Sequence, residues 1–428
     1  MKRLLYISHR VPYPPDKGER LRAYHQIRLL ATQYDVTLAT LSHSRHDAQD
    51  LGPLSTWCRQ VIVERAAGRW GLACHPLRLA QGQSATQLYF GSRRLTQRVR
   101  ELHARQPFDI VMGYCSSVLG PVLAVPAPVR IMDLVDVDSA KWFSYARAAG
   151  LPMRWAYRRE AAAVATLERQ ALDHCQAVLL TSDAEVPLLP KGGGPVHVVG
   201  NGVDSDYFSP GHPVDNDHPS LVFTGTMDYR PNVEGVCWFA RDVWPSLRRA
   251  MPTLQFRIVG RDPHPSVQAL AQQPGIVVTG SVPDVRPFLR TASIAVVPLK
   301  IARGIQNKIL EAMACGRPVV ASPEALKGIN ARVGLEVLQA HTPAEWTAAI
   351  GTLLADVSHR EALGQAGRDM VLQQYTWPAQ LSSLLAICGD LVQERPQNAE
   401  LASLPIAINN CVLHSRPAPG VTMEGRVQ

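Results

Sequence analysis

Short apolar runs recur along the chain, most of them stopped by glycine or proline, with amphipathic stretches between them. The first run, Arg3 to Ser8, meets a proline-rich loop through Pro12, Pro14 and Pro15 that reaches Gly18. Leu21, Tyr24, Ile27, Leu30 and Ala31 then repeat at helical spacing, which predicts a helix with one buried face. Val36 to Leu41 and Val61 to Val63 read as further strands. A helix from Ser92 to Gln106 leads into a strand at Asp109 to Gly113. Val129 to Ser139 reads as a strand ending in Asp133, Asp136 and Asp138, and Ala146 to Arg169 as one amphipathic segment. Ala177 to Thr181 is a buried strand, and the strand that follows ends at an Asn201-Gly202 turn.

After a loose polar stretch from Pro210 to Pro219, the alternation restarts. Leu221 to Phe223 leads into Gly225, Phe256 to Val259 into Gly260, and Ile276 to Val278 into Gly280. Asn232 begins a helix, and Asp284 caps another that contains Phe288 and Leu289. Ile294 to Ser322 parses as strand, loop, helix, strand, with Asn307 suited to an N-cap and Gly316 to the position after the last turn. Helices follow at Pro343 to Ala355, His359 to Tyr375 and Trp377 to Cys388. Strands buried on both faces and joined by helices predict a parallel α/β sheet, which binds ligands at its strand C-termini.

Composition narrows the class. The 428 residues suffice for two ordinary domains, and 46% apolar with 19% charged residues describes a globular chain. A formal charge of +8, carried mostly by arginine, favours anionic partners. The 92–106 helix and the 146–169 segment concentrate that arginine, the second with Trp155 and Tyr157 between the charges. Either is a solvated face or a platform for anionic headgroups, so peripheral contact with an anionic membrane is one expectation. Eight cysteines form no CxxC pair and no zinc spacing, which fits reduced thiols in a cytoplasmic protein. The apolar core near the N-terminus is too short for a signal peptide, and no apolar run approaches the ~20 residues of a spanning helix. No nucleic-acid signature accompanies the charge, so no nucleic-acid partner is expected.

Candidate chemistry gathers at predicted strand ends. Lys308 and Glu311 sit at the start of the helix in the 294–322 stretch, where a ligand of a parallel sheet would lie. Helix-start amides after Gly18 can hold a phosphate, although turn geometry alone also accounts for this glycine. Alternation would put Asp136 and Asp138 on one side of their strand. Such acids beside a cleft read as sugar-hydroxyl acceptors or electrostatic stabilisers more readily than as metal ligands, and no metal is expected to be required.

Five stretches in order, GNGVDSDYFSP, LVFTGTM, FRIVG, VTGSVPDV and NKILEAMACGRPVVAS, resemble the retaining GT-B glycosyltransferases of the family 4 class. DKGERLR, DLVDVDSAKW and ARGIQNK are similar to a subgroup found with bacterial exopolysaccharide and PEP-CTERM/exosortase loci. The resemblance implies a GT-B fold, two Rossmann-like domains with parallel sheets facing a cleft. It divides the chain into residues 1–200 for the acceptor, a linker at 201–218, and residues 219–375 for a nucleotide-sugar donor. A helix at 376–390 would cross back to the first domain, and 391–428 would form a poorly ordered tail.

The resemblance assigns Glu311 to the donor ribose hydroxyls and Lys308 to the diphosphate. Gly304, Ile305, Gln306 and Asn307 would lie along sugar and phosphate, Gly225 would admit backbone to the diphosphate, and Val282 would meet the base. Asp136, Asp138 and Lys308 would act on the transferred group. The implied reaction carries a sugar from a nucleotide-sugar to a saccharide or polyprenyl-linked acceptor, with retention, in exopolysaccharide or cell-surface polysaccharide synthesis. The nucleotide-sugar is a co-substrate, and no cofactor is implied. Two positions depart from the family pattern: Arg303 stands where a glutamate is usual, and Arg230 is displaced from the usual basic pair. A cation cannot accept a hydrogen bond from a sugar hydroxyl, so either Arg303 helps neutralise phosphate or neighbouring residues read the sugar, and a non-catalytic nucleotide-sugar or glycan-binding protein stays open; a sugar-nucleotide epimerase of the same fold is the other alternative.

Overall fold

A computed structural model describes residues 1–15, 18–44, 47, 49–211, 218–302 and 304–393, the side chain of Glu19 excepted. Seven parallel strands form the first sheet in the order β3-β2-β1-β4-β5-β6-β7. They are β1 Arg3–Ser8, β2 Asp35–Ser42, β3 Gln60–Arg65, β4 Ile110–Tyr114, β5 Val129–Val135, β6 Ala177–Leu180 and β7 Val196–Val198. Six parallel strands form the second in the order β10-β9-β8-β11-β12-β13. These are β8 Ser220–Thr224, β9 Gln255–Val259, β10 Ile276–Gly280, β11 Ile294–Val297, β12 Val319–Ala321 and β13 Leu338–Gln339. The reversal of strand order about β1 and β4, and about β8 and β11, puts a crevice at the strand C-termini of each lobe.

Both faces of each sheet are covered. In β1, Leu4 and Tyr6 enter one apolar cluster while Leu5 and Ile7 enter another, as alternation requires. The last helix, Trp377–Gln393, belongs to the first lobe's packing: Trp377, Leu381, Leu384 and Cys388 are buried with Leu4, Tyr6 and Ile27. Its Trp377 ring stacks on His25 at 4.5 Å and 12°. The chain passes between lobes twice, side by side. Val203 bridges to Thr376, and the Val203 amide donates to the Tyr375 carbonyl at 2.7 Å.

Several elements differ from the pattern reading, each for a visible reason. β5 stops at Val135, which takes φ +70°, because the Asp133 carboxylate accepts the Val135 amide at 3.0 Å and turns the chain. Asp136 therefore lies in a loop and Asp138 opens the helix Asp138–Ala148, so strand alternation does not relate them. The 146–169 segment is not continuous. One helix ends at Ala148 and the next, Met153–His174, starts after Gly150 and Pro152, which disfavour helix on that side. The helix expected from Asn232 begins at Arg230, since Pro231 suits the first turn and needs no amide partner there. Asp284 binds the Arg286 amide at 2.9 Å, although Val285 occupies the cap position.

In the 294–322 stretch the helix is Asn307–Ala314, and Gln306 rather than Asn307 is the capping residue. Neither side chain makes a cap bond; Gln306 has the extended backbone that marks the boundary. The far end follows expectation. Gly316 takes φ +70°, its amide donates to Met313 O at 2.8 Å, and the Arg317 amide donates to Ala312 O at 2.9 Å. That pair of bonds is a Schellman closure, which glycine makes without strain. Arg303 and residues 394–428 lie outside the described residues, so the expected tail does too.

Candidate active site

The second lobe supplies a cation and an acid from one helix. Lys308 and Glu311 are three residues apart on Asn307–Ala314, which places them on the same face. The Lys308 ammonium donates to Asn232 Oδ1 at 2.6 Å and lies 4.4 Å from the centre of the Phe223 ring. Burial pushes Lys308 down to about 7, with Glu311 opposing the shift. Burial likewise pushes Glu311 up to about 7, with Lys308 opposing. Neither group is comfortable as a buried ion without a further partner, which is how a ligand-binding pair behaves.

Gly225 completes this corner. It follows β8 with φ +155°, and a Cβ there would stand 2.8 Å from Asn232 Nδ2 and 3.0 Å from Lys308 Nζ. Gly260, after β9, approaches still closer: a Cβ would meet Gly225 O. Two strand ends and a helix start thus leave backbone, an amide side chain and an ammonium converging where no side chain fits. Val282, past β10, packs partly buried on the second lobe's core. Arg230 is turned away, its exposed guanidinium paired with Glu234 at 2.6 Å.

The loop before the Lys308 helix reaches the first lobe. Gly304 has φ +59°, and a Cβ on it would lie 3.5 Å from Asp136 Oδ1. Ile305 packs partly buried against the second core, and Gln306 Nε2 donates to Gly304 O at 3.4 Å. Asn307 Oδ1 is buried and has no hydrogen-bond partner among the described residues. Asp136 itself is exposed and accepts from Thr181 Oγ1 at 3.0 Å. Asp138 is pushed up by burial, against the pull of Lys141 at 3.9 Å. Gly18, the first helical residue of Gly18–Leu30, has open space where its Cβ would be.

The structure therefore joins Gly225, Lys308 and Glu311 in one corner and brings Gly304 to Asp136; Arg230 stays on the surface. The sequence reading missed Asn232, His9 and Arg22 as contributors and saw Asp133 only as a strand-end acid. Asn232 looked like a helix start, yet it positions Lys308. His9 follows β1, is buried beside Tyr114 and Phe90, and is pushed down to about 3 by burial and by Arg10, so it is neutral at physiological pH. Its Nδ1 has no hydrogen-bond partner among the described residues. Arg22 and Asp133 form a buried pair at 2.8 Å, with Arg22 also donating to Gly200 O and Asn201 Oδ1 where the chain leaves the first lobe. A polar residue at the end of a buried strand was the available signal for His9 and Asp133.

Residues 218–356 match the profile of the family Glycosyl transferases group 1. That span is the second lobe, including the Lys308 and Glu311 corner. A D-inositol 3-phosphate glycosyltransferase of Salinispora arenicola (strain CNS-205) is 31% identical over 123 residues, 28% of this chain and 27% of its own length. The chain spans about a quarter of the length of the first curated relatives it matches. In fold, the chain is similar to sucrose-phosphate synthase (tll1590) from Thermosynechococcus elongatus, with a TM-score of 0.67, 16% identity, and 92% and 100% of the two chains covered. Anabaena Alr3699/HepE in complex with UDP gives a TM-score of 0.64 and 14% identity, covering 91% and 100%. The fold is GT-B. Among the described residues, no helix is long and apolar enough to cross a membrane, and no group of three or more His, Cys, Asp or Glu side chains could hold a metal ion.

Proposed function

We propose that the chain is a glycosyltransferase, moving a sugar from a nucleotide-sugar donor to a saccharide or lipid-linked acceptor with retention at the anomeric carbon. The observation that carries this reading is the Gly225, Asn232, Lys308 and Glu311 corner. It offers open backbone and a cation for a diphosphate, and a carboxylate able to accept from two vicinal hydroxyls. The family match over the same residues and the UDP-bound structural neighbour support it.

In this scheme Lys308 offsets the charge that builds on the leaving diphosphate as the glycosidic bond breaks. Asp136, beside Gly304 and held by Thr181, orients the sugar or the incoming hydroxyl from the first lobe. Asp138 lies farther back at the helix start and shapes the charge around Asp136. Same-face attack assisted by the departing phosphate needs no covalent nucleophile. Because Lys308 supplies the cation, EDTA-treated protein is expected to keep its transfer activity. Loss of activity that a divalent cation restores would instead give that role to a metal near Asp136 and Asp138.

The reading extends to family 4 membership, exopolysaccharide synthesis and a place in the cytoplasm at the inner membrane face, on the motifs above and the basic first lobe. A thermal-shift panel of UDP, GDP, ADP and dTDP with their sugars tests the donor, since a ligand that binds only the folded state raises its stability. If none of these shifts the transition, the donor-site reading falls. Product analysis with and without an acceptor separates transfer from epimerisation.

A further inference from the structure

We propose that Glu168 and Glu185 are positioning residues that set Asp136 for sugar transfer by holding the backbone on either side of it. This rests on the transferase reading, in which Asp136 orients the sugar or the incoming hydroxyl. Val135, just before Asp136, takes φ +70°, a conformation that a β-branched residue avoids. Strain of that kind persists only where the surroundings over-determine it. Here three buried carboxylates do so, one at every second amide of the turn. Asp133 Oδ1 accepts the Val135 amide at 3.0 Å, Glu185 Oε2 the Val137 amide at 2.9 Å, and Glu168 Oε1 the Ser139 amide at 3.0 Å. Glu168 Oε2 also accepts from Ser139 Oγ.

The three acids come from separate parts of the chain. Asp133 lies near the end of β5, Glu168 on the helix Met153–His174, and Glu185 in the turn after β6. Asp133 has a cation beside it, Arg22 at 2.8 Å. Glu168 and Glu185 make no ion pair among the described residues, and Lys141 pairs with Asp138 instead, at 3.9 Å. Burial pushes Glu168 up to about 7 against its two bonds from Ser139, and Asp138 and Glu185 add to the rise. A buried acid without a cation destabilises a fold, and apolar side chains would join these helices without that penalty. What an acid supplies and an apolar side chain cannot is a fixed acceptor for a backbone amide.

The clamped turn faces the second lobe. The Asp136 amide donates to Leu134 O at 2.9 Å and its Oδ1 accepts from Thr181 Oγ1 at 3.0 Å, so backbone and carboxylate are both fixed. The same Oδ1 lies 3.5 Å from where a Cβ on Gly304 would stand. Ser182, next to Thr181, has a matching place, its Oγ 3.6 Å from where a Cβ on Gly328 would stand. Asp136 is thus presented across the cleft on a strained turn, and the two acids without cations secure that turn from behind. Clamps remote from a substrate matter on this scale, because a displacement of ~1 Å in an orienting group costs roughly 100-fold in rate.

The test is a double-mutant cycle on the full chain. UDP-glucose, GDP-mannose, ADP-glucose and dTDP-glucose are each offered without an acceptor, and the one hydrolysed fastest to its nucleoside diphosphate and free sugar is the probe. Glu168→Ala should lower kcat by about tenfold to 100-fold. Its affinity for the probe, measured by titration, should stay unchanged, because the nucleotide is held on the other lobe. Glu168→Gln still offers an oxygen to the Ser139 amide and should keep kcat close to wild type. In an Asp136→Ala background, Glu168→Ala should have no further effect, as expected of a residue that acts through Asp136. Glu185→Ala, in a turn flanked by exposed residues, gives the same readouts should Glu168→Ala fail to fold. Equal losses with and without Asp136 overturn the proposal, since the acid then serves the fold alone. So does an unchanged kcat in a folded alanine variant, or a glutamine variant as impaired as the alanine one. If none of the four nucleotide-sugars is hydrolysed, the transferase reading falls and takes the proposal with it. That result is distinct from turnover that the substitutions leave untouched, which removes the proposal alone.

Discussion

Lys308 and Glu311 decide most of what can be measured at single positions. In the free protein Lys308 titrates near 7 because its ammonium is buried, so at about pH 8 most of it is neutral. A bound diphosphate favours the charged form and pulls that value back up. Donor binding should therefore take up a proton near pH 8, seen as a binding enthalpy that changes with the ionisation enthalpy of the buffer. The uptake should shrink toward about pH 6, where Lys308 is already charged. The same shift acts on folding. A lysine whose folded value is depressed gains nothing below about 7, and it adds stability as pH rises from there toward its unfolded value. Glu311→Ala should weaken the donor by about 10- to 100-fold, the ~1.5–3 kcal/mol of hydrogen bonds to a charged group. Unchanged donor affinity would remove Glu311 from the site. Gly225→Ala places a methyl against Lys308 and Asn232 at a φ that glycine alone tolerates, costing ~1–3 kcal/mol. The change should appear both in nucleotide affinity, measured by titration, and as a lowered unfolding midpoint.

At the scale of elements, the sequence was readable where burial sets the period and opaque where a side chain overrides it. β1 and the Pro343–Ala355 helix fall on their patterned bounds, because an uninterrupted apolar run and a proline at a first turn leave little choice. β5 misled, because Asp133 turns the chain through the Val135 amide while residues distant in sequence hold that carboxylate in place. Arg22 and Gln26 come from the first helix, 111 and 107 residues away along the chain. Pairing at that separation has no local signature. The same distance hid Asn232, whose partner Lys308 is 76 residues off. Lys308 and Glu311 were legible because one helix carries both. The Arg22–Asp133 pair makes its own prediction. Asp133→Ala would leave a buried guanidinium uncompensated and should cost ~3–5 kcal/mol in urea unfolding, far more than an exposed pair such as Arg59–Asp35.

Over the whole described molecule, two parallel sheets place Asp136 and Gly304 against each other while the Lys308 and Glu311 corner sits on the second lobe. Arg22 reaches the Gly200 carbonyl and the Asn201 side chain, so the first helix of one lobe grips the segment that leaves for the other. Domain closure around a ligand absorbs its angular change at a few such element ends. The first lobe carries exposed arginine and tryptophan side chains on its helices, whereas the Lys308 corner lies on the second. That division explains why net charge alone said so little about partners.

The return of Trp377–Gln393 to the first lobe has a consequence for biosynthesis. A ribosome makes residues 1–200 long before Trp377, Leu381, Leu384 and Cys388 exist, yet these side chains fill the same cluster as Leu4, Tyr6 and Ile27. Domains generally fold as units while synthesis proceeds. Here the second lobe can finish in that way, and the first must wait with one apolar face bare until the last helix emerges. A released fragment ending at Thr376, which keeps Leu363, Met370, Val371 and Tyr375 of the second core, should be cut readily by protease in its first lobe and resist in its second. Adding the 376–393 peptide in trans should restore protection to a 1–200 fragment. The earliest residues made are thus among the last to be secured.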